Sequence, residues 1–456
     1  MAMVAVGGSI GTGLLLGSGA AIQIAGPGVI ISYLLGSLVA FTVTMALGEM
    51  ASRHPGAGSF GIYADLYLHP WAGFVSRYGY WISIMISISA ELVAAATFTH
   101  LWFPNTPPLL WIAIYATLLL AVNLLEVGNF GGFEYWFAMI KVVIIFVFIL
   151  LGAAMLLGNR VPRQFTVNGG FLPHGSIGPL LAVSFALFSY LGTEMVAISS
   201  GEAVSPKAIP RATAVTFVVL AFVYIGATTV LAGVLPWNLA GVAESPFVTV
   251  FRTARIPAAA HVMNFVVLTA ALSGSNASLY VTSRLIYSLA ESGYAPRKLT
   301  ELTATGAPRW AVLVSTLGIF VALGVQYATP QNAYLYIIDA SLFGGMLAWA
   351  IALASHIAMR RKLSALEIAA LPMRAPGGAT ASALALVAII AVVLFTGWVP
   401  QTRVTLLTAG PQLLLLTLFY WAMRSRRQRP RSHPLPGVDR AYQEATGTMN
   451  PESEDE

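Results

Sequence analysis

Two short runs hold the residues best suited to gripping a ligand inside an apolar chain. The first reads Gly7-Gly8-Ser9-Ile10-Gly11-Thr12-Gly13 and the second Phe188-Ser189-Tyr190-Leu191-Gly192-Thr193-Glu194. Glycine in a helix interior weakens it, so the glycine-rich first run and the glycine of the second mark interruptions. Inside a bilayer, an interruption frees N–H groups at the start of one half-helix and C=O groups at the end of the other. Such groups persist only beside a cavity or a ligand. Freed N–H groups at a positive helix end suit a carboxylate, and freed carbonyls suit an ammonium group or a cation. A zwitterionic amino acid matches both. Close packing on small residues explains the first run equally well when it is taken alone. A second interruption at a corresponding place in the chain favours a binding site.

Four ionisable residues stand within apolar stretches: Glu91, Lys141, Glu194 and Asp339. Each is a functional candidate because burying a charge in a membrane is costly. Lys141 is either a working cation or a lysine snorkelling toward the end of its helix, seven residues from Glu134. Glu194 follows the second interruption, where it caps freed N–H groups or meets substrate, with capping the stronger expectation. Asp339 either tunes specificity toward a cationic or amine-bearing substrate or serves as a paired carboxylate. Ser273, Ser275 and Asn276 form a polar patch expected to line a cation or proton site, with small-residue packing as the alternative. Glu49, Arg53 and Arg284 are expected to form an inner gate or structural pairs. The chain has no cysteine, which excludes disulfides, thiolate metal sites and cysteine nucleophiles. Its seven histidines are scattered without metal-ligand spacing, so neither a metal nor a cofactor is expected.

The elements that must position these residues are membrane helices. Of 456 residues, 57% are hydrophobic and 9% charged, against about one-quarter charged in soluble domains. Residues 1–48 contain no charge at all. A soluble enzyme, a nucleic-acid binder and a disordered hub are excluded, because a soluble fold with this deficit would expose large apolar patches. A helix needs about 20 apolar residues to cross a bilayer. Spans are predicted near 1–22, 26–47, 76–102, 108–126, 134–158, 178–202, 211–235, 258–290, 309–327, 331–357, 379–400 and 403–423, numbered 1 to 12. Span 8 is too long for a straight crossing. With an even number of spans and the N-terminus inside, eighteen Lys and Arg residues fall on the cytoplasmic side and five outside, as the positive-inside rule requires. The basic balance is thus a topology signal, with anionic lipid headgroups as neighbours.

Several motifs carry a family likeness. GGSIGTGLLLGSG (7–19), AGPG (25–28), GEM (48–50), GSFGIYAD (58–65), FEYWFAMIKVV (133–143), FSYLGTEMVAISSGEA (188–203), AIPRA (208–212) and LSGSNASLYVTSRLIYSLAESG (272–293) resemble the amino acid permeases of the amino acid–polyamine–organocation superfamily. The likeness is nearest to permeases for GABA, lysine, aromatic amino acids and proline. It implies an all-α polytopic membrane protein of twelve transmembrane helices in a 5+5 inverted repeat, with broken helices 1 and 6. The permease domain would cover 1–423: a first repeat at 1–158, a second at 178–357, and two C-terminal helices at 379–423. Residues 424–456 would be a disordered cytoplasmic tail.

The resemblance also assigns roles. Backbone at Ser9, Ile10, Gly11, Thr12 and Gly13 would receive the substrate carboxylate. Carbonyls near Phe188, Ser189, Leu191 and Gly192 would receive the α-amino group, and Phe188, with Tyr190 as second choice, would lid the site. Lys141 would replace the cation of sodium-coupled relatives. Glu91 would meet an amine, carry the coupled proton or pair with Lys141. Leu15 departs from the bulky residue usual after GTGL. Met1 stands ten residues before Gly11, a shorter lead than the family carries, and is read as a truncated or misassigned start. The implied activity is amino acid import across the plasma membrane by alternating access, with proton symport and both termini cytoplasmic. Exchange without net proton coupling is the alternative, with a membrane sensor on the same fold less favoured. Expected partners are the amino acid, protons and membrane lipid, with no nucleic acid and no obligate protein partner.

Overall fold

A computed structural model of the chain describes residues 2–54, 60–125, 130–158, 161–195, 208–303 and 306–424. The tail 425–456, and residues 196–207 after the second interruption, lie outside the described residues. Helix dominates, and the one β-feature among the described residues is an isolated bridge between Leu302 and Pro308. In lipid each backbone N–H needs a partner within its own segment, so long apolar runs fold as helices.

Span 1 comes in three pieces, Ala2–Ser9, Thr12–Leu15 and Gly17–Ala25. Span 2 is Val29–Arg53, span 3 Pro70–His100, span 4 Pro108–Leu125 and span 5 Phe130–Leu157. Span 6 is Ile177–Leu181 with Val183–Tyr190, span 7 Ala208–Val234 and span 8 Pro257–Glu291. Span 9 kinks between Arg309–Ser315 and Leu317–Ala328. Span 10 is Ala333–Lys362, span 11 Gly378–Phe395 and span 12 Arg403–Arg424. Nine helical runs among the described residues are long and apolar enough to cross a bilayer, and Pro108–Leu124 and Ile177–Tyr190 are shorter apolar helices. The difference from twelve has a physical origin. The interruptions shorten spans 1 and 6, and a single 3₁₀ turn at Gly26–Gly28 joins the end of span 1 to span 2. Span 8 runs unbroken for 35 residues, about 52 Å at the helical rise, well beyond a 30 Å hydrocarbon layer.

Span 3 is buried on most sides and organises the site. Its Gly79 faces Gly344 of span 10, where an added Cβ on Gly344 would lie 2.2 Å from the Gly79 carbonyl oxygen. Its Ser89 hydroxyl donates to the Gly318 carbonyl of span 9. On the other side, span 2 is fastened to span 6. Ser32 donates to the Pro179 carbonyl at 2.7 Å, and the rings of Tyr33, Tyr190 and Tyr224 cluster with centroids 4.6–6.5 Å apart.

At the C-terminal end of span 2, Glu49 is fully buried. Its two oxygens receive the Arg360 guanidinium of span 10 at 2.6 Å each. The Ala375 backbone N–H donates to it at 2.5 Å, and the His356 ring nitrogen lies 3.3 Å away. Arg53 instead approaches Glu367 at 4.0 Å, and Arg284 lies over the Tyr280 ring.

Candidate functional site

The first interruption falls at Ile10 and Gly11. Gly11 is extended (φ −125°, ψ −162°) and the helix restarts at Thr12. The freed Thr12 N–H donates to Glu91 of span 3, at 3.0 Å to Oε1 and 3.3 Å to Oε2. An added Cβ on Gly11 would lie 2.5 Å from Glu91 Oε1, so glycine is what lets the carboxylate reach the helix end. On the other side of the break, Lys141 of span 5 donates from Nζ to the Gly7 carbonyl at 2.9 Å. The Thr12 carbonyl receives the Tyr334 hydroxyl of span 10 at 2.7 Å. Span 1 bends again at Leu16 (φ −133°, ψ −48°), where the Leu15 carbonyl receives the Ser245 hydroxyl at 2.8 Å.

The second interruption follows Tyr190. Leu191 leaves the helix (φ −59°, ψ 134°), and Gly192 takes φ +108°, a conformation that favours glycine. Glu194 Oε2 receives the Gly192 N–H at 3.0 Å. Tyr224 of span 7 stitches the two breaks together. Its hydroxyl is 2.5 Å from the Ser9 carbonyl oxygen and 2.7 Å from that of Ser189, so one proton serves both helix ends. Tyr33 reaches Ser189 Oγ at 3.1 Å, while Ser189 donates to the Phe185 carbonyl.

Between the breaks lies a small cavity lined by residues of both. Of the residues expected to contact substrate, Ser9, Gly11, Gly13, Phe188, Ser189, Leu191 and Gly192 line it. Ile10 is packed in the core, fully buried. Thr12 is not part of the wall but reaches Glu91 with its N–H, and the Tyr190 ring turns to Tyr224. Of the expected cation-site residues, Glu91 lines the cavity and Lys141 holds the Gly7 carbonyl outside its wall.

Span 8 approaches Glu91 through Gly274, whose added Cβ would lie 3.4 Å from Oε2, and lines the cavity with Ser278. Its neighbours in the expected patch do not line it. Ser275 donates to its own helix at Ala271, Asn276 accepts from Asn123 Nδ2 of span 4 at 2.7 Å, and Ser273 is buried outside the wall. Asp339 takes up the start of span 12. It accepts the Thr405 N–H at 2.9 Å and the Thr405 hydroxyl, satisfying helix-end donors.

Sequence reasoning passed over Ile84, Ser87, Met195 and Ser278, which also line the cavity. Periodicity held a signal: Ile84, Ser87 and Glu91 recur at i, i+3 and i+7 on one face of span 3, as Gly274 and Ser278 do at i, i+4 on span 8.

The two breaks meet at Gly13, where an added Cβ would lie 2.8 Å from Ser189 Cα and 3.1 Å from its Oγ. Gly13→Val is therefore expected to wedge the breaks apart. Substrate affinity should fall about 10-fold or more, an overpacking cost of 1–3 kcal/mol at the site, with helicity by circular dichroism unchanged. Wild-type affinity in a folded Gly13→Val protein would remove these breaks from the binding site.

A helical membrane protein with a cavity between two interrupted helices has the architecture of a transporter. A crystal structure of an Eremococcus coleocola manganese transporter shares the fold, with a TM-score of 0.55 at 14% identity over 94% of each chain. The amino acid permease family matches residues 1–431. The gamma-aminobutyric acid permease of Bacillus subtilis is 36% identical over 94% of this chain and 92% of its own. The aromatic amino acid transport protein AroP of Escherichia coli is 37% identical over 79% and 80%. The chain belongs to the amino acid permease family: it is a multi-pass membrane transporter and not an enzyme.

Proposed function

We propose that the protein imports an amino acid across the plasma membrane by alternating access, coupled to protons, with both termini in the cytoplasm. The observation that carries this is the pair of charges on the first break: Glu91 on the Thr12 N–H and Lys141 on the Gly7 carbonyl. An incoming substrate carboxylate competes with Glu91 for the freed N–H groups at Thr12 and Gly13. Its ammonium group is met by the carbonyls that end span 6. Once displaced, the Glu91 carboxylate loses its donor and takes up a proton that hydronium from the outer solution delivers along the path that admitted the substrate.

Charge bookkeeping is consistent with symport. Glu91 and Lys141 together are neutral, and a zwitterion adds nothing. Protonation of Glu91 makes the loaded form positive by one charge, which the membrane potential drives inward by about 2.3 kcal/mol per 100 mV.

The test is uptake of labelled amino acids into proteoliposomes with an imposed proton gradient. Accumulation should collapse with a protonophore. Accumulation that survives it would replace symport with exchange, and failure to move any amino acid would reject transport altogether. Glu91→Gln keeps an acceptor for Thr12 but has no proton to cycle. It should retain exchange while gradient-driven accumulation falls at least ~10-fold.

A further inference from the structure

The cavity wall that is left once the backbone of the breaks is assigned to the α-amino and α-carboxylate groups faces the substrate's side chain. That wall is made by Ile84 and Ser87 of span 3, Ser278 of span 8, Met195 and Phe188. Two properties stand out. Among the described residues, Glu91 is the only ionisable group lining the cavity, and both its oxygens are engaged by the Thr12 N–H, with the Lys141 charge nearby. Asp339 is committed to Thr405. No uncommitted charge of the described residues therefore faces a substrate side chain, and a lysine, arginine or glutamate side chain would be desolvated without a counter-charge.

The second property concerns hydroxyls. In spans 3 and 8, Thr97, Thr99, Ser275, Thr282 and Ser283 return their hydroxyls to carbonyls of their own helix. Ser83 donates across to the Ser341 carbonyl. Ser87 and Ser278 line the cavity, and their hydroxyls make no such bond among the described residues. Two unspent hydroxyls on facing helices, in a site otherwise closed by Ile84, Met195 and Phe188, form a recognition pair for a hydrogen-bonding group. The space is kept short by the Met195 thioether, which presses on span 1. An added Cβ at Gly8 would lie 2.8 Å from Met195 Sδ.

We infer that the substrate is a neutral amino acid with a short, hydrogen-bonding side chain, the hydroxyl amino acids serine and threonine, selected by Ser87 and Ser278. This rests on the amino acid transport reading and narrows it. Polar pairs of this kind discriminate because an analogue lacking the hydroxyl leaves them unmatched.

The experiment is a competition panel against labelled serine in proteoliposomes of the full chain, followed by KM for serine and alanine in Ser87→Ala/Ser278→Ala. Serine and threonine should compete best, alanine about 10-fold less well, and lysine, glutamate and phenylalanine not at all. The double variant should raise KM for serine about 10-fold and that for alanine less than about 2-fold. Better competition by a charged or aromatic amino acid overturns the inference while leaving amino acid transport standing. An equal rise in KM for serine and alanine likewise overturns the role of the two hydroxyls. Absence of uptake for every amino acid would instead reject the transport reading. Should the double variant fail to fold, the wild-type panel and the two single Ser→Ala variants decide the matter.

Discussion

Vesicles carrying Lys141→Met should still exchange internal for external amino acid but should no longer accumulate it against a gradient when a proton gradient is imposed. Lys141 is 97% buried, with 3% of its surface exposed, and its ammonium holds the Gly7 carbonyl within reach of the Glu91 charge. Methionine keeps the length and apolar stem of the side chain but removes the cation. Removing one partner of a buried charge pair costs about 3–5 kcal/mol, which is a factor on the order of 100 or more in the balance between charged and neutral forms of the other. Glu91 would then stay neutral in every state of the cycle, and a site that never releases its proton cannot be driven by one.

Lys141→Gln separates the two roles of this residue. Its amide can still donate to the Gly7 carbonyl, so it should restore the folded stability lost in Lys141→Met but not the accumulation. Concentrative uptake by either variant at wild-type level would end the coupling role. Loss of exchange together with accumulation in both would mark Lys141 as purely structural.

What could be read from residues alone was what depends on chain-local chemistry. Clustered glycines at 7, 8, 11 and 13 weaken a helix, and a carboxylate two residues after Gly192 is positioned to cap the freed N–H, where Glu194 stands. The absence of charge from residues 1–48 points them into the membrane. What could not be read depends on partners far away in sequence. Asp339 is a lone carboxylate in an apolar helix, and nothing in its neighbours points to the N–H of Thr405 as the group it accepts from. Asn276 looked like a site residue for its polarity, but its position on the helix, two residues from Ser278, turns it to Asn123.

Tyr224, which joins both breaks, is one tyrosine in an apolar span and carries no local mark of that role. Ser87 and Ser278 were passed over for a related reason. Serine in a membrane helix usually spends its hydroxyl on a carbonyl one turn back, and only the three-dimensional arrangement shows that these two do not.

The buried cluster at the end of span 2 should show the largest stability effect of any single substitution. Glu49→Leu leaves the Arg360 guanidinium facing an apolar side chain where two 2.6 Å contacts stood. It also strips the Ala375 N–H of its acceptor. The expected loss is about 3–5 kcal/mol, read as a lowered unfolding midpoint in detergent. Glu49→Leu/Arg360→Leu removes both charges and should recover part of that loss, because two apolar side chains leave no uncompensated ion, giving a coupling energy of about 1–3 kcal/mol. Strictly additive losses would show that the pair does not act as a unit.

The cluster also ties together parts that would separate in the alternating-access cycle proposed above. Span 2 is fastened to span 6 through Ser32 and Tyr33, whereas Arg360 and His356 belong to span 10, which packs on span 3. Met373, on the connection that follows span 10, sits against Gly48, with Thr213 of span 7 beside it. Loosening Glu49 should therefore raise exposure at this end of the bundle as well as lower stability. Because the chain has no native cysteine, Ser52→Cys reports this directly: Ser52 is buried beside the cluster, 3% exposed. Maleimide labelling of that cysteine should speed up several-fold on Glu49→Leu at temperatures well below unfolding. If the rate stays unchanged while the unfolding midpoint falls, the ion pair holds the fold together without gating it.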